Sequence, residues 1–313
     1  MIAIEDIEAA RRRIADRIRR TPLIPLDQLK APPGLGSRVT LKLECLQVTG
    51  SFKARGAMNR LLGTPSEALA AGIVTASGGN HGLAVARTAW AAGRPATIFV
   101  PSGVSPAKVA KMKAWNARVE VAGDEWSRSN EAALAFAARS GAVYFHPFAD
   151  PLVVAGQGTL GLEILEELPD MDAILVAIGG GGLIAGLGAA IRARRPSVRI
   201  IGVEPVGSPT LKASLDRGEV VTLPVVTSRV PTLSCRRTDE RVFELVRRTV
   251  DEIVLVSDEE MADASRWLWF EMGIAADLSG AASLAALRRG LPGLEGARHV
   301  CALVCGAGAE GTA

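Results

Sequence analysis

Short apolar runs that alternate with helical patterns constrain this sequence more than any other feature. The predicted strands are largely apolar along their length, which is typical of strands covered on both faces of a parallel sheet. They lie at 39–44, 73–77, 96–100, 118–122, 173–178, 199–203, 253–256 and 299–305. The predicted helices between them lie at 51–62, 80–92, 105–116, 125–139, 183–194, 261–270 and 280–289. This order predicts an α/β protein with mostly parallel sheets.

The remaining segments predict one further helix and two loops. The first 20 residues mix acidic and basic side chains and predict a surface helix, not a secretory or transit sequence. Segments 30–37 and 223–239 are predicted loops. The 313 residues suffice for two lobes around a cleft.

Composition and charge argue against several classes of protein. The net charge is only +3, and the arginines are spread along the chain, so a nucleic-acid-binding stripe is not expected. No apolar run is long enough to predict a membrane span. The cysteines (Cys45, Cys235, Cys301 and Cys305) form no CxxC ligand pair, so zinc is not expected, and their number suits a reducing cytoplasm.

Lys53 lies in the segment GSFKARG, at the predicted start of a helix. The positive end of the helix dipole disfavours an ammonium there, and burial lowers the pKa of a lysine. Both effects favour a neutral amine that reacts with carbonyl compounds. A surface lysine beside a helix cap explains the tripeptide Lys-Ala-Arg equally well, so the motif alone leaves its role open.

Two glycine-rich turns follow predicted strands. The segment SGGNHG at 77–82 opens a helix, where backbone N–H groups bind anions, although an ordinary βα turn is the alternative. The second turn is a run of four glycines, Gly179, Gly180, Gly181 and Gly182. It lacks the Gly-Lys-Ser/Thr ending of a P-loop and the dinucleotide pattern GxGxxG. Successive glycines expose backbone donors, so the run predicts a cup for a phosphate monoester.

In this order and spacing, the motifs resemble the fold-type II pyridoxal 5′-phosphate (PLP) enzymes, and within them the serine/threonine dehydratase (threonine ammonia-lyase) family. The similarity covers nearly the whole chain, from RTPL at 20–23 through GQGT at 156–159 and IIGVEP at 200–205 to Cys305. It implies a tryptophan synthase β-like fold of two open, mostly parallel sheets with flanking helices. Residues 1–45 and 149–313 would form a large PLP-binding domain, and 46–148 a small substrate-binding domain.

The resemblance also implies a role for each motif that would hold the cofactor. Lys53 is expected to form the Schiff base with PLP and to act as the base at the substrate Cα. Phe52 would pack against the PLP ring, and Asn80 would bind its 3′-hydroxyl. Cys305 would face the pyridine nitrogen, and the four glycines would bind the phosphate.

The same resemblance implies a substrate site and a reaction. Ser77, Gly79 and His81 would line the site of the substrate α-carboxylate. The expected reaction removes water and ammonia from an L-β-hydroxy amino acid, by default L-threonine or L-serine, and leaves a 2-keto acid.

Two positions favour elimination over racemisation. A neutral thiol such as Cys305 is a weak hydrogen-bonding partner and would not hold the pyridine nitrogen protonated, so a long-lived carbanion is disfavoured. In relatives that racemise serine, a second serine at the position of Gly78 serves the opposite face of Cα. Glycine has no proton to donate, so little D-isomer is expected.

Departures from the family pattern leave the substrate open. Relatives often carry EPSGA where this chain has DLSGA at 277–281, and ADG where it has SCR at 234–236. Arg236 and Arg237 near the expected mouth of the site favour a second carboxylate, as in 3-hydroxyaspartate, although a solvated basic loop explains them equally well. Phenylserine, a hydroxyectoine-derived amino acid, serine racemisation and β-replacement of the cysteine synthase type remain alternatives.

The metal site of some relatives would fall at Glu204, Ser208 and Thr210. Thr210 replaces an acidic ligand there, so no metal is expected. The chain ends shortly after Cys305, so a C-terminal regulatory domain and isoleucine feedback are not expected. The resemblance implies a homodimer that acts on a small amino acid. The cysteine content, the spread of charge and the hydropathy add the expectation of a cytoplasmic protein without nucleic-acid or membrane partners.

Overall fold

The computed structural model describes residues 2–33, 36–291 and 294–312. The strands are β1 (Leu23–Pro25), β2 (Arg38–Leu43), β3 (Ile73–Ala76), β4 (Ala96–Val100), β5 (Arg118–Val121), β6 (Val143–Tyr144), β7 (Ala173–Ala177), β8 (Arg199–Pro205), β9 (Glu252–Val256) and β10 (His299–Val304). The α-helices are α1 (Ile4–Ile14), α2 (Lys53–Leu62), α3 (Asn80–Ala91), α4 (Pro106–Ala114), α5 (Trp126–Ser140), α6 (Pro151–Glu167), α7 (Gly182–Arg194), α8 (Thr210–Arg217), α9 (Glu240–Thr249), α10 (Asp258–Met272) and α11 (Leu278–Arg289).

The strands form two sheets. The larger has the order β1-β2-β10-β7-β8-β9 and is parallel except for β1, which pairs antiparallel with β2 at the edge. The smaller has the order β5-β4-β3-β6 and is parallel throughout. Strands β3, β4, β7 and β10 are buried along their whole length, which explains their continuously apolar sequences. The prediction of an α/β fold with two mostly parallel sheets is confirmed.

Several elements escaped the sequence patterns, namely β1, β6, α6, α8 and α9. Helix α6 contains Gly156, Gly158 and Gly161, which are unfavourable in a helix interior. Close neighbours explain them: a Cβ atom on Gly156 would lie 2.7 Å from the carbonyl oxygen of Arg55 on α2, and α7 approaches the other two glycines. A Cβ atom on Gly158 would lie 2.9 Å from the carbonyl oxygen of Gly186, and one on Gly161 would lie 3.0 Å from that of Leu187. Tertiary packing therefore overrides local helix propensity at α6.

The predicted terminal helix and loops have clear counterparts. Helix α1 presents Ile7, Ala10 and Ile14 to the interior. Residues 223–239 contain no helix or strand. The predicted loop at 30–37 has no helix or strand among its described residues, and residues 34 and 35 lie outside them. No helix in the described part of the chain combines the length and apolarity that crossing a membrane requires.

A buried ion network connects α2 to the larger sheet. Arg55 on α2 donates to Glu44 after β2, at 2.7 and 2.8 Å, and to Glu163 on α6 at 2.9 Å. Lys42 on β2 pairs with Glu163 at 2.7 Å. Arg55, Lys42 and Glu44 are at most 1% exposed. Since Arg55 lies two residues after Lys53, the network determines where the first turn of α2 lies.

Substitution of Gly186 by alanine should destabilise the fold through the contact between α6 and α7. The added Cβ would lie 2.2 Å from the carbonyl oxygen of Val154 and 2.8 Å from the nitrogen of Gly158, both backbone atoms. We expect a loss of roughly 3 kcal/mol in the free energy of unfolding, measured by urea denaturation. Gly103→Ala is the matched control, because a Cβ there meets nothing within 4 Å. Equal stability of the two variants would contradict this account of the interface.

Candidate active site

The predicted motifs meet near the ends of strands from both sheets. The nitrogen of Phe52 donates to the carbonyl oxygen of Cys305 at 3.2 Å, just after β10. Thr232 lies between both glycine turns: a Cβ on Gly79 would be 3.3 Å from its side chain, and one on Gly179 would be 2.9 Å from its carbonyl oxygen. The site therefore lies at the carboxyl ends of β3, β7 and β10, which is the usual place for ligands in open α/β sheets.

Lys53 is the first residue of α2 and is half-buried. Its Nζ donates to the carbonyl oxygen of Pro147 at 2.7 Å and lies 5.1 Å from the centre of the Phe52 ring. Burial lowers the pKa of Lys53 to about 8, although the thiols of Cys305 and Cys235 act in the opposite direction. With this pKa roughly a tenth of the amine is neutral and nucleophilic at pH 7, far more than for an ordinary lysine.

Asn80 is held by a carboxylate that the motif analysis did not assign to the site. Its Nδ2 donates to Asp277 at 2.9 Å, and the other oxygen of Asp277 accepts from Ser279 Oγ and from the nitrogen of Gly280, both at 2.6 Å. Asp277 also caps the N-terminus of α11. This arrangement fixes the Asn80 amide and leaves its second hydrogen and its oxygen for a ligand. The DLSGA segment at 277–281 thus holds Asn80 and caps α11 through Asp277.

Cys305 is a neutral thiol in this setting. Its Sγ donates to the carbonyl oxygen of Ser279 at 3.4 Å, and it is 3% exposed. Burial raises the pKa of the thiol well above its usual range, and the charge of Asp277 acts in the same direction. The expected character of Cys305, a weak hydrogen-bonding group rather than an anion, agrees with these surroundings.

The turn after β3 and the first turn of α3 carry the three residues predicted for the substrate carboxylate. Ser77 Oγ accepts from the nitrogen of Gly79 at 3.3 Å, so the turn is folded on itself before α3 begins. His81 is only 2% exposed, and its Nε2 bonds the carbonyl oxygen of Phe145 at 3.1 Å. Burial lowers the pKa of His81 to about 3, with the charge of Lys53 as the next cause. The ring is therefore neutral, and its Nδ1 has no partner among the described residues.

Two features of the structure, the backbone conformation and close packing, require glycine in the turn at 179–182. Gly181 has φ of +90°, and α7 begins at Gly182, so the first N–H groups of α7 have no intrahelical acceptor. Packing also excludes side chains: a Cβ on Gly180 would lie 2.3 Å from the ring of Phe148, and one on Gly182 would lie 2.4 Å from the Phe148 carbonyl oxygen. The resulting concave turn at a helix N-terminus suits a phosphate group.

Residues 146–148, just beyond β6, are part of the site and belong to none of the sequence motifs. His146 Nδ1 accepts from the nitrogens of Phe148 and Ala149 at 3.2 and 2.9 Å, and burial lowers the pKa of His146 to about 4. Its ring centre lies 4.6 Å from that of Phe148 and 6.3 Å from that of Trp126. These rings form an aromatic wall beside Lys53. A two-residue strand gives too weak a pattern to place the His-Pro-Phe segment at a sheet edge.

The two arginines of the 223–239 loop bind within that loop and its neighbours. Arg236 donates to the carbonyl oxygens of Leu223 and Pro224, each at 3.2 Å. Arg237 pairs with Glu240 at 2.8 Å and also donates to Thr222 at 3.1 Å. Both guanidinium groups thus have structural partners, which weakens the argument for a second substrate carboxylate.

The residues of the considered metal site are also engaged. Glu204 accepts from the nitrogens of Leu211 and Lys212, each at 2.8 Å, and burial raises its pKa to about 7. Ser208 and Thr210 both donate to the carbonyl oxygen of Cys235. Among the described residues, no three His, Cys, Asp or Glu side chains are grouped to hold a metal ion. Glu204 instead binds the start of α8.

Comparison with known proteins gives consistent matches along nearly the whole chain. Residues 14–306 match the model described as pyridoxal-phosphate dependent enzyme. An L-threonine ammonia-lyase of Geobacter sulfurreducens is 43% identical over 95% of this chain and 73% of that protein. The structure of maize serine racemase has a TM-score of 0.93 and 32% identity, covering 98% of this chain and 94% of the other. A T.th. threonine deaminase structure has a TM-score of 0.90 and 36% identity, covering 97% of this chain and 98% of the other.

The lowered pKa of Lys53 predicts how the apoprotein captures pyridoxal phosphate. Because the pKa is about 8 rather than the usual 10.5, the capture rate should rise about tenfold per pH unit below pH 8 and level off above it. Stopped-flow absorbance between pH 6 and 10 measures this rate. Lys53→Ala provides the background from surface lysines, and a rate that still climbs between pH 9 and 10 would contradict the lowered pKa.

Proposed function

The chain belongs to the pyridoxal-phosphate dependent enzyme family, and we propose that it is a dehydratase (ammonia-lyase) that converts an L-β-hydroxy amino acid into a 2-keto acid. L-Threonine and L-serine are the proposed substrates. One observation carries the proposal: the amine of Lys53, with a pKa of about 8, donates to the carbonyl oxygen of Pro147, and the next residue, Phe148, packs against the glycine turn at 179–182. The similarity to the L-threonine ammonia-lyase of Geobacter sulfurreducens supports it.

The residues at the site fit the cofactor of the family. Lys53 offers an amine for the aldehyde, and Asn80 offers an oriented amide. The turn at 179–182 offers free backbone N–H groups and admits no side chain without displacing neighbours. Bound pyridoxal phosphate supplies an electron sink that acidifies the Cα–H bond of an amino-acid substrate.

Lys53 is the group best suited to move the Cα proton. Its amine is neutral in a useful fraction near neutral pH, whereas His81 and His146 are neutral bases too weak to compete, with pKa values of about 3 and 4. The carbonyl of Pro147 orients the amine. The N-terminus of α3 and its turn supply N–H groups for the substrate carboxylate.

Cys305 and Gly78 bear on which reaction follows proton removal. A buried neutral thiol cannot stabilise a charged pyridinium as a carboxylate would, which favours prompt loss of a β-substituent. Gly78 offers no second proton donor. The structural likeness to maize serine racemase makes racemisation the second candidate, and the two reactions are separated by their products.

We also propose the division into a small domain of residues 46–148 and a large domain of 1–45 and 149–313. All four strands of the smaller sheet lie in the first range, and all six strands of the larger sheet lie in the second. The cleft between the sheets would then hold the cofactor. A cytoplasmic homodimer is proposed from the family resemblance, together with four cysteines that are all free thiols. Light scattering of the purified protein tests the dimer.

Lys53→Ala should abolish the proposed activity. We expect ammonia and 2-keto acid release from L-threonine or L-serine to fall at least a thousandfold, because the base at Cα is lost. Keto acid is measured by coupled lactate dehydrogenase or by hydrazone formation. Lys212→Ala is the matched control, since Lys212 is a partly exposed lysine paired with Asp216. Product formation that survives loss of Lys53 would refute the assignment, and cysteine formation when sulfide is added would indicate β-replacement instead.

The loop arginines should not confer selectivity for acidic substrates. Because Arg236 and Arg237 are bound to loop atoms, kcat/KM for 3-hydroxyaspartate should be at least tenfold below that for L-threonine. Arg237→Gln should leave that ratio within about twofold. A preference for 3-hydroxyaspartate that disappears in Arg237→Gln would show that the loop rearranges to bind a second carboxylate.

A further inference from the structure

We propose that Val104 is a specificity-determining residue that keeps the face of the substrate Cα opposite Lys53 without a proton donor. The inference rests on the proposed function, because it concerns the steric course of the same reaction. Val104 lies in the segment between β4 and α4, far in sequence from the glycine turn. Its side chain occupies the space beside Gly78, so no proton-donating side chain can stand there.

In the present position of Val104, no side chain fits at position 78. A Cβ atom there would lie 2.0 Å from Cγ2 of Val104, 3.2 Å from its Cβ and 3.3 Å from its Cγ1. These are the three nearest atoms, so Val104 alone creates the closest obstacle. The neighbouring Gly79 differs, because a Cβ there would meet only Thr232, at 3.3 Å.

The backbone of Gly78 would itself accept a side chain. Its φ does not lie in the left-handed region, unlike that of Gly181. Gly78 is therefore required by the presence of Val104 and not by the geometry of the turn. The side chain at position 104 therefore limits which residue position 78 can accept.

Val104 has little freedom to move aside. Its side chain packs against the core of the smaller sheet, and its nitrogen donates to the carbonyl oxygen of Pro101 at 3.2 Å. Ser105 then caps α4, which begins with Pro106. A β-branched side chain also has few rotamers to choose from. The methyl group beside Gly78 is therefore a stable feature of the site.

As a consequence, the site has a proton-transfer group on only one face of the substrate Cα. Inversion at Cα requires that one group removes the proton from one face and another delivers a proton to the other face. Lys53 can serve one face, and position 78 is where racemising relatives carry a serine hydroxyl. Here that position has no side chain, and an apolar methyl group fills the adjacent volume. Replacing Gly78 by serine without enlarging this volume should therefore not create a working donor.

The test compares the holoenzyme with Gly78→Ser, Val104→Ala and the double variant. D-Serine formed from L-serine is measured by chiral chromatography, and keto acid is measured in the same samples. We expect D-serine only from Gly78→Ser/Val104→Ala, at least tenfold above the level of the other proteins. Gly78→Ser/Val104→Ile is the matched control, because isoleucine keeps the obstructing methyl group, and it should form no more D-serine than the single variants.

Thermal unfolding gives a readout that does not depend on the reaction. Gly78→Ala should lower the melting temperature of the wild-type protein by several degrees, whereas the same substitution should cost much less in the Val104→Ala background, which has its own lower melting temperature. If Gly78→Ser alone inverts L-serine as fast as the double variant, or if the double variant still releases keto acid but forms no D-serine, the proposal is overturned. Absence of keto acid from the wild-type protein with every β-hydroxy amino acid would instead overturn the proposed function, whereas the coupling in unfolding would still test the contact.

Discussion

The buried ion network around Arg55 is the interaction on which the site depends most. Removing charged groups from water costs several kcal/mol per ion, and this is offset only when every partner is in place. Arg55, Glu44, Glu163 and Lys42 satisfy one another across β2, α2 and α6. Lys42 also pairs with Glu167 on α6 at 2.8 Å, so several ion pairs together hold β2, α2 and α6 against one another. That arrangement determines the position of Lys53.

Glycine has a second role here besides binding anions. At α6 and α7 the absence of side chains lets two helices approach until backbone atoms touch, as between Gly158 and Gly186. At 179–182 the absence of side chains lets Phe148 pack against the turn, and the first N–H groups of α7 have no intrahelical acceptor. The close packing that produces the core therefore also produces the concave surface of the site. A side chain at any of these positions would disturb both.

The electrostatics of the site leave Lys53 as its principal acid–base group near neutral pH. Burial keeps His81 and His146 uncharged and keeps Cys305 a thiol, while it lowers the pKa of Lys53 into the working range. A single base next to a weakly interacting thiol suits elimination. The low-dielectric surroundings thus decide which of these groups carry protons, and this pattern would favour the proposed elimination.

The sequence by itself determined the α/β alternation and the places of Lys53, Asn80 and the four-glycine turn. These features are local, because a strand, a turn and the start of a helix are each encoded within about ten consecutive residues. Helix α6 and strand β6 could not be predicted, since three glycines and a two-residue strand acquire meaning only from their neighbours in space. The same is true of the pairs that shape the site. Only the tertiary structure brings together Asn80 with Asp277, Gly180 with Phe148 and Gly78 with Val104, because each pair joins residues that are distant along the chain and are selected by shape and charge at contact.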